Sequence, residues 1–150
     1  PTVALAAVPI YNLGIDVQLI LTQRALAQIF SGEIQVWDDP RIKASNPNFT
    51  AWGLPANQSI EVVVRGDGST STSIFKAALG DFDPGFEAAV GSGGSPNWGS
   101  RKVTKTDRAS SGLRSYVAKT MYTIGYCTMG EAMTANLPQA WLKKDGNAIV

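Results

Sequence analysis

The chain has 150 residues, 13 Lys plus Arg against 12 Asp plus Glu, no histidine and one cysteine. That length suits a single domain with a sizeable core, and a net charge of +1 gives no electrostatic reason to expect nucleic acid or an anionic membrane as partner. Without histidine, a Ser-His-Asp triad, a His-ligated zinc and a His general base are excluded, and the lone Cys127 cannot make an internal disulfide or a thiolate cluster.

No apolar run approaches the roughly 20 residues that cross a bilayer, so no membrane insertion by this segment is expected. The chain opens on Pro1-Thr2-Val3-Ala4-Leu5 without the basic start of a signal peptide, which reads as a mature protein or an excised piece of one. Residues 2–10 are apolar and end Val8-Pro9-Ile10, predicting a buried strand with Pro9 near its end, since proline cannot donate to a central ladder. Thr22 is placed to cap a helix carrying Leu26, Ile29 and Phe30 at helical spacing, with Gly32 closing it. Asp38-Asp39-Pro40-Arg41-Ile42 has acids and a proline where a short helix starts. Residues 46–55 read as loop and Ile60–Val64 as a strand.

A helix is predicted from Ser69 to about Leu79. Residues 80–100 then hold six of the 15 glycines and form a long connection with one helical turn near Phe86–Val90, a length usually reserved for functional or mobile loops. Arg101, Lys102, Lys105 and Arg108 crowd one stretch beside Asp107 and read as a solvated face. Ser110-Ser111-Gly112 starts a helix, Ile124–Cys127 is a buried strand that makes Cys127 an inert core thiol, Gly130–Met133 begins a short helix, and 140–150 reads as a hairpin about Asp145-Gly146. Strands alternating with helices imply an α/β layer fold with a mixed sheet.

The chemistry concentrates in Val62-Val63-Val64-Arg65-Gly66-Asp67-Gly68-Ser69-Thr70-Ser71-Thr72, which predicts a strand, a tight turn and a helix start. A helix start carries unpaired N–H groups and about half a positive charge, a ready seat for an anion. An ordinary capped turn would need one hydroxyl; the further ones cost helix propensity if they do nothing. Arg65 at the strand end projects toward the sheet edge where α/β proteins hold ligands. The segment lacks Gly-Lys-Ser/Thr and is therefore no nucleotide P-loop. Asp67, two residues from Arg65, serves either as a turn residue or as the carboxylate that holds the guanidinium fork, and in the second role it disfavours a fully ionised ligand.

Asp81, Asp83, Glu87, Asp38 and Asp39 are the carboxylates available for glycosidase-type chemistry, but their glycine-rich and helix-start settings suit solvated or capping roles. The four tryptophans, dispersed over four segments, suit core edges better than sugar stacking. Asn48-Phe49-Thr50 and Asn57-Gln58-Ser59 match the N-glycosylation sequon, which would place the protein outside the cytoplasm.

The run from Leu21 to Ile42, with Leu21-Thr22, Ile29-Phe30-Ser31-Gly32-Glu33-Ile34 and Trp37-Asp38-Asp39-Pro40, followed by Asn46-Pro47, Arg65-x-Asp67-Gly68-Ser69 and Ile124-Gly125-Tyr126, resembles the phosphate-binding proteins of ABC-type phosphate importers over about 130 residues. The resemblance implies a type II periplasmic-binding-protein fold, of which this chain is the second lobe, a three-layer α/β unit that closes on an anion with a first lobe missing here. It implies phosphate or a similar oxyanion as ligand, no cofactor and no metal, and an extracellular or periplasmic location. By motif position the ligands are Arg65, Ser69, Thr70 and Ser71, with Asp67 beside the arginine. The family's Gly-Thr after the serine is replaced by Thr70-Ser71, which puts a Cβ where the family's backbone approaches the anion. A non-catalytic solute-binding module is the first reading. The alternative is a ligand-free extracellular sensor or protein-interaction module on the same scaffold, and a hydrolase working with carboxylates ranks third.

Overall fold

The computed structural model describes residues 7–144. Four strands form one sheet in the order β1-β5-β3-β4: β1 (Ala7–Asn12), β3 (Glu61–Arg65), β4 (Thr104–Thr106) and β5 (Thr123–Thr128). β3 runs parallel to both neighbours, and β1 is antiparallel to β5. The sheet is therefore mixed, as expected. Two three-residue strands, β2 (Ile20–Thr22) and β6 (Trp141–Lys143), pair in parallel as a separate ladder.

Side chains alternate across a strand, and β5 shows what that alternation does here. A Cβ on Gly125 would lie 2.7 Å from Leu113 and 3.3 Å from Val117, so this face of the sheet receives α5 (Ala109–Lys119). The next residue, Tyr126, points the other way and stacks on Phe75 of α3 (Thr70–Phe82) at 4.7 Å between centroids. Phe30 of α1 (Gln23–Ser31) meets Phe75 edge-on at 5.0 Å, and Phe86 of α4 (Pro84–Ala89) closes the cluster against Trp98 at 6.1 Å. Helices cover both faces, giving three layers.

The helix boundaries follow local chemistry. The Thr22 hydroxyl accepts from the Ala25 N–H, and Gly32 ends α1 in the left-handed region at φ 97°. Asp39 caps the short α2 (Pro40–Lys43), with Pro40 in the first turn. Thr128 and Glu131 form a reciprocal capping box for α6 (Met129–Thr134).

Several expectations need correction. The first strand passes through Pro9 and ends at Asn12. Pro9 is tolerated because β1 lies at the sheet edge and its carbonyl faces outward, where it accepts from the Ala140 N–H, so the missing donor lies on the outer side. α3 continues to Phe82, and Asp83 then caps α4. Trp141–Lys143 pairs with β2; the Asp145-Gly146 turn lies outside the described residues. Arg101 is no part of a solvated face: its guanidinium donates to the Ile29 carbonyl at 3.1 Å and the Ile60 carbonyl at 3.3 Å. Cys127 is buried, and burial pushes its thiol up to about 12, consistent with an inert core group.

At Gly125 the sheet and α5 approach too closely for a Cβ, which would lie 2.7 Å from Leu113. Gly125→Ala is expected to lower stability by about 1–3 kcal/mol through overpacking against Leu113 and the Val63 carbonyl, read as a lower thermal midpoint with unchanged secondary structure.

Candidate functional site

Because β3, β4 and β5 are mutually parallel, their carboxyl ends fall at one edge, and each runs directly into a helix. Arg65, Thr106 and Thr128 are the last residues of those strands, so the N-termini of α3, α5 and α6 gather at that edge. This is where an open α/β sheet holds ligands.

Arg65 ends β3 with its side chain only 15% exposed. Its Nε donates to Asp67 Oδ1 at 3.0 Å and its Nη2 to Oδ2 at 2.8 Å, a fork-on-carboxylate pair. This is the clamping role rather than a bare turn role for Asp67. Hydrogen bonding to Asp67 raises the Arg65 pKa, and the same bond from Arg65 holds the Asp67 carboxyl below its ordinary value. Of five guanidinium donors, two are taken by Asp67 and the other three meet no acceptor among the described residues. The turn itself is tied to the next strand, since the Gly66 N–H donates to the Thr106 carbonyl at 2.8 Å.

Ser69 is the N-cap of α3. Its hydroxyl oxygen accepts from the Ser71 N–H at 3.1 Å and from the Thr72 N–H at 3.4 Å, and its own O–H is left to donate. The Thr70 N–H, first in the helix, meets no acceptor among the described residues. The Thr70 side chain is exposed and that of Ser71 half-buried. Thr72, the last hydroxyl of the run, has another job. It is fully buried, and its Oγ1 lies 2.6 Å from the Tyr126 hydroxyl. That tyrosine oxygen also accepts from the Arg65 N–H at 3.2 Å, and burial raises its pKa.

A groove of ≈ 620 Å³ opens beside the turn, with Asp67, Lys105, Asp107 and Arg108 among its lining and Tyr116 at its side. The sequons lie elsewhere. Asn48 and Asn57 are exposed on the segments leading to the amino end of β3, the edge opposite Arg65. Of the other carboxylates, Asp39 and Asp83 are helix caps, and Asp38 accepts from the Asn57 N–H. Trp37 and Trp98 are buried, Trp52 packs on Phe49, and Trp141 is exposed.

The motif thus brings Arg65 to Asp67 and Ser69 to the start of α3. The sequence singles out Tyr126 only within Ile124-Gly125-Tyr126 and Lys76 not at all, and of the hydroxyls taken together as anion donors the fold turns Thr72 inward.

A family model described as a PBP superfamily domain matches residues 4–149. The chain belongs to the PBP superfamily. The phosphate-binding protein PstS of Methanocaldococcus jannaschii is 34% identical over 154 residues, covering 100% of this chain and 39% of that protein. The Haemophilus influenzae protein of the same name is 34% identical over 151 residues, covering 99% of this chain and 42% of that protein. The chain therefore spans about two fifths of the length of these relatives. Among solved structures, a high affinity periplasmic phosphate-binding protein (PfluDING) bound with phosphate superposes with a TM-score of 0.62 at 18% identity, covering 96% of this chain and 39% of that one. A phosphate-binding protein from Stenotrophomonas maltophilia gives 0.61 at 16% identity, covering 91% and 39%. These likenesses agree with the expected type II periplasmic-binding-protein fold.

Two outcomes test the geometry. Tyr126→Phe is expected to cost about 1–3 kcal/mol, because it strands the buried Thr72 hydroxyl, and adding Thr72→Val should recover part of that loss. Asp67 has its folded pKa depressed, so whatever stability the pair contributes is present above the ordinary carboxylate range and lost as pH falls through the folded value. In Arg65→Ala the Asp67 carboxyl should titrate higher, toward its ordinary value, by NMR.

Proposed function

We propose that the chain is the second lobe of a phosphate-binding protein and that the Arg65–Ser71 turn is its half of an oxyanion site. The observation that carries this reading is the Arg65 fork, held ready by Asp67 at the end of β3, four residues before the Ser69 cap of a 13-residue helix. The relatives' names, which all specify phosphate, point to the same ligand. In this reading the remaining Arg65 donors supply charge, the Ser69 hydroxyl, the Thr70 backbone N–H and the Ser71 hydroxyl supply hydrogen bonds, and the helix start supplies field. Asp67 favours an anion that still carries a proton, hence phosphate over sulfate. The role is binding rather than catalysis, and it requires neither metal nor cofactor.

The partner lobe, supplied by the remainder of a longer protein, would exclude water from the anion and so strengthen each of these bonds. A lobe alone leaves the anion hydrated and binds weakly. The setting is extracellular or periplasmic, and in a eukaryotic secretory pathway Asn48 and Asn57 would carry glycans on the edge away from the anion. The second reading, a sensor or interaction module that has given up the ligand, is favoured by one observation: the exposed Thr70 side chain stands where the family has glycine.

Calorimetric titration of phosphate into the parent protein separates the two. Binding that weakens about ten- to a hundredfold in Arg65→Ala, the equivalent of losing hydrogen bonds to a charged group worth ~1.5–3 kcal/mol, supports the first. Absence of heat in the unmutated protein, with a protein partner retained by the variant, supports the second.

A further inference from the structure

The glycine-rich connection between α4 and β4 lies against the start of α3, and a buried lysine holds it there. Lys76, two turns into α3, is 1% exposed. Its Nζ donates to the Ser95 carbonyl at 2.8 Å and to the Asn97 carbonyl at 2.7 Å, and sits 4.8 Å from the centroid of the Trp98 ring. Among the described residues no carboxylate pairs with it. An ammonium taken out of water without a counter-ion costs several kcal/mol, and an apolar side chain would fill the same space without that penalty. Filling the core does not account for a lysine here.

What the lysine grips does. Ser95 follows Gly94, whose carbonyl accepts from the Ser69 N–H at 2.9 Å. Contact there is so close that a Cβ on Gly94 would collide with the Ser69 carbonyl oxygen. On the other side of the turn, a Cβ on Gly68 would stand 3.8 Å from the same Gly94 oxygen. A continuous path of hydrogen bonds and one peptide therefore runs from the Lys76 ammonium through residues 94–97 to the residue that caps α3.

We propose that Lys76 is a positioning residue for the oxyanion site: its ammonium staples residues 94–97 onto α3 and thereby fixes Ser69. The functional sense of this rests on the Arg65–Ser71 reading; the staple itself does not.

Amide hydrogen exchange read residue by residue on the 150-residue chain, with and without inorganic phosphate, tests both. Lys76→Met keeps an unbranched stem and removes charge and donors. The Ser69 amide is expected to exchange about tenfold faster or more, beyond any change at the Val63 and Tyr126 amides that report global opening. Phosphate-induced shifts at Thr70 and Ser71 should shrink with it. Gly94→Ala breaks the contact from the loop side while leaving Lys76 in place; it should release Ser69 similarly, and combining the two should add little. Unchanged Ser69 exchange in these variants overturns the staple, and if Lys76→Met does not fold, Gly94→Ala decides alone. Released Ser69 amides in a chain that shows no phosphate shifts before mutation would remove the oxyanion reading and leave the staple standing.

Discussion

The Tyr126 hydroxyl is the point at which three elements are joined. It belongs to β5, meets the Thr72 hydroxyl of α3 at 2.6 Å, and accepts from the Arg65 N–H at the end of β3 at 3.2 Å. A buried polar atom left without partners costs about 1–3 kcal/mol, so these groups must stay in register with one another. That requirement fixes how far α3 slides along the sheet, and with it where Ser69 stands relative to the strand end that carries Arg65. The ring beneath the hydroxyl packs on Phe75 and Phe30, which joins the aromatic core to the sheet edge.

At that edge the charges are already arranged within the chain itself. Asp67 takes one side of the Arg65 fork and orders that long cation within its own turn. Ser69 satisfies two amides of α3 and keeps its proton to donate. Behind it, Gly94 and the Lys76 ammonium back the cap from the loop side. The chain that carries this edge spans about two fifths of its relatives' length.

Much of this was legible locally. Thr22, Gly32, Asp39 and Ser69 mark helix ends because caps act on amides two or three residues away, within reach of sequence. The Arg65–Asp67 pair was readable as one of two roles for Asp67, since two residues of turn suffice to bring the groups together. Less legible were β2 and β4, three residues each, too short for alternation to show and dependent on partners at 141–143 and 63–65. Arg101 misled for a related reason: its neighbours in sequence are solvated cations, and only Ile29 and Ile60, distant in the chain, offer it carbonyls.

By itself, then, the sequence determined the longer elements, the caps at Thr22, Gly32, Asp39 and Ser69, the exclusion of histidine and thiolate-cluster chemistry, and a turn suited to an anion, because each of these depends on groups a few residues apart. Tertiary structure alone decided which hydroxyl of the Ser69–Thr72 run turns inward and which residues support the cap. Thr72 is committed to Tyr126, 54 positions away, and Ser69 to Gly94, 25 positions on, with Lys76 holding the loop. Those choices are set by burial, which leaves polar groups no partners except the ones the fold brings to them.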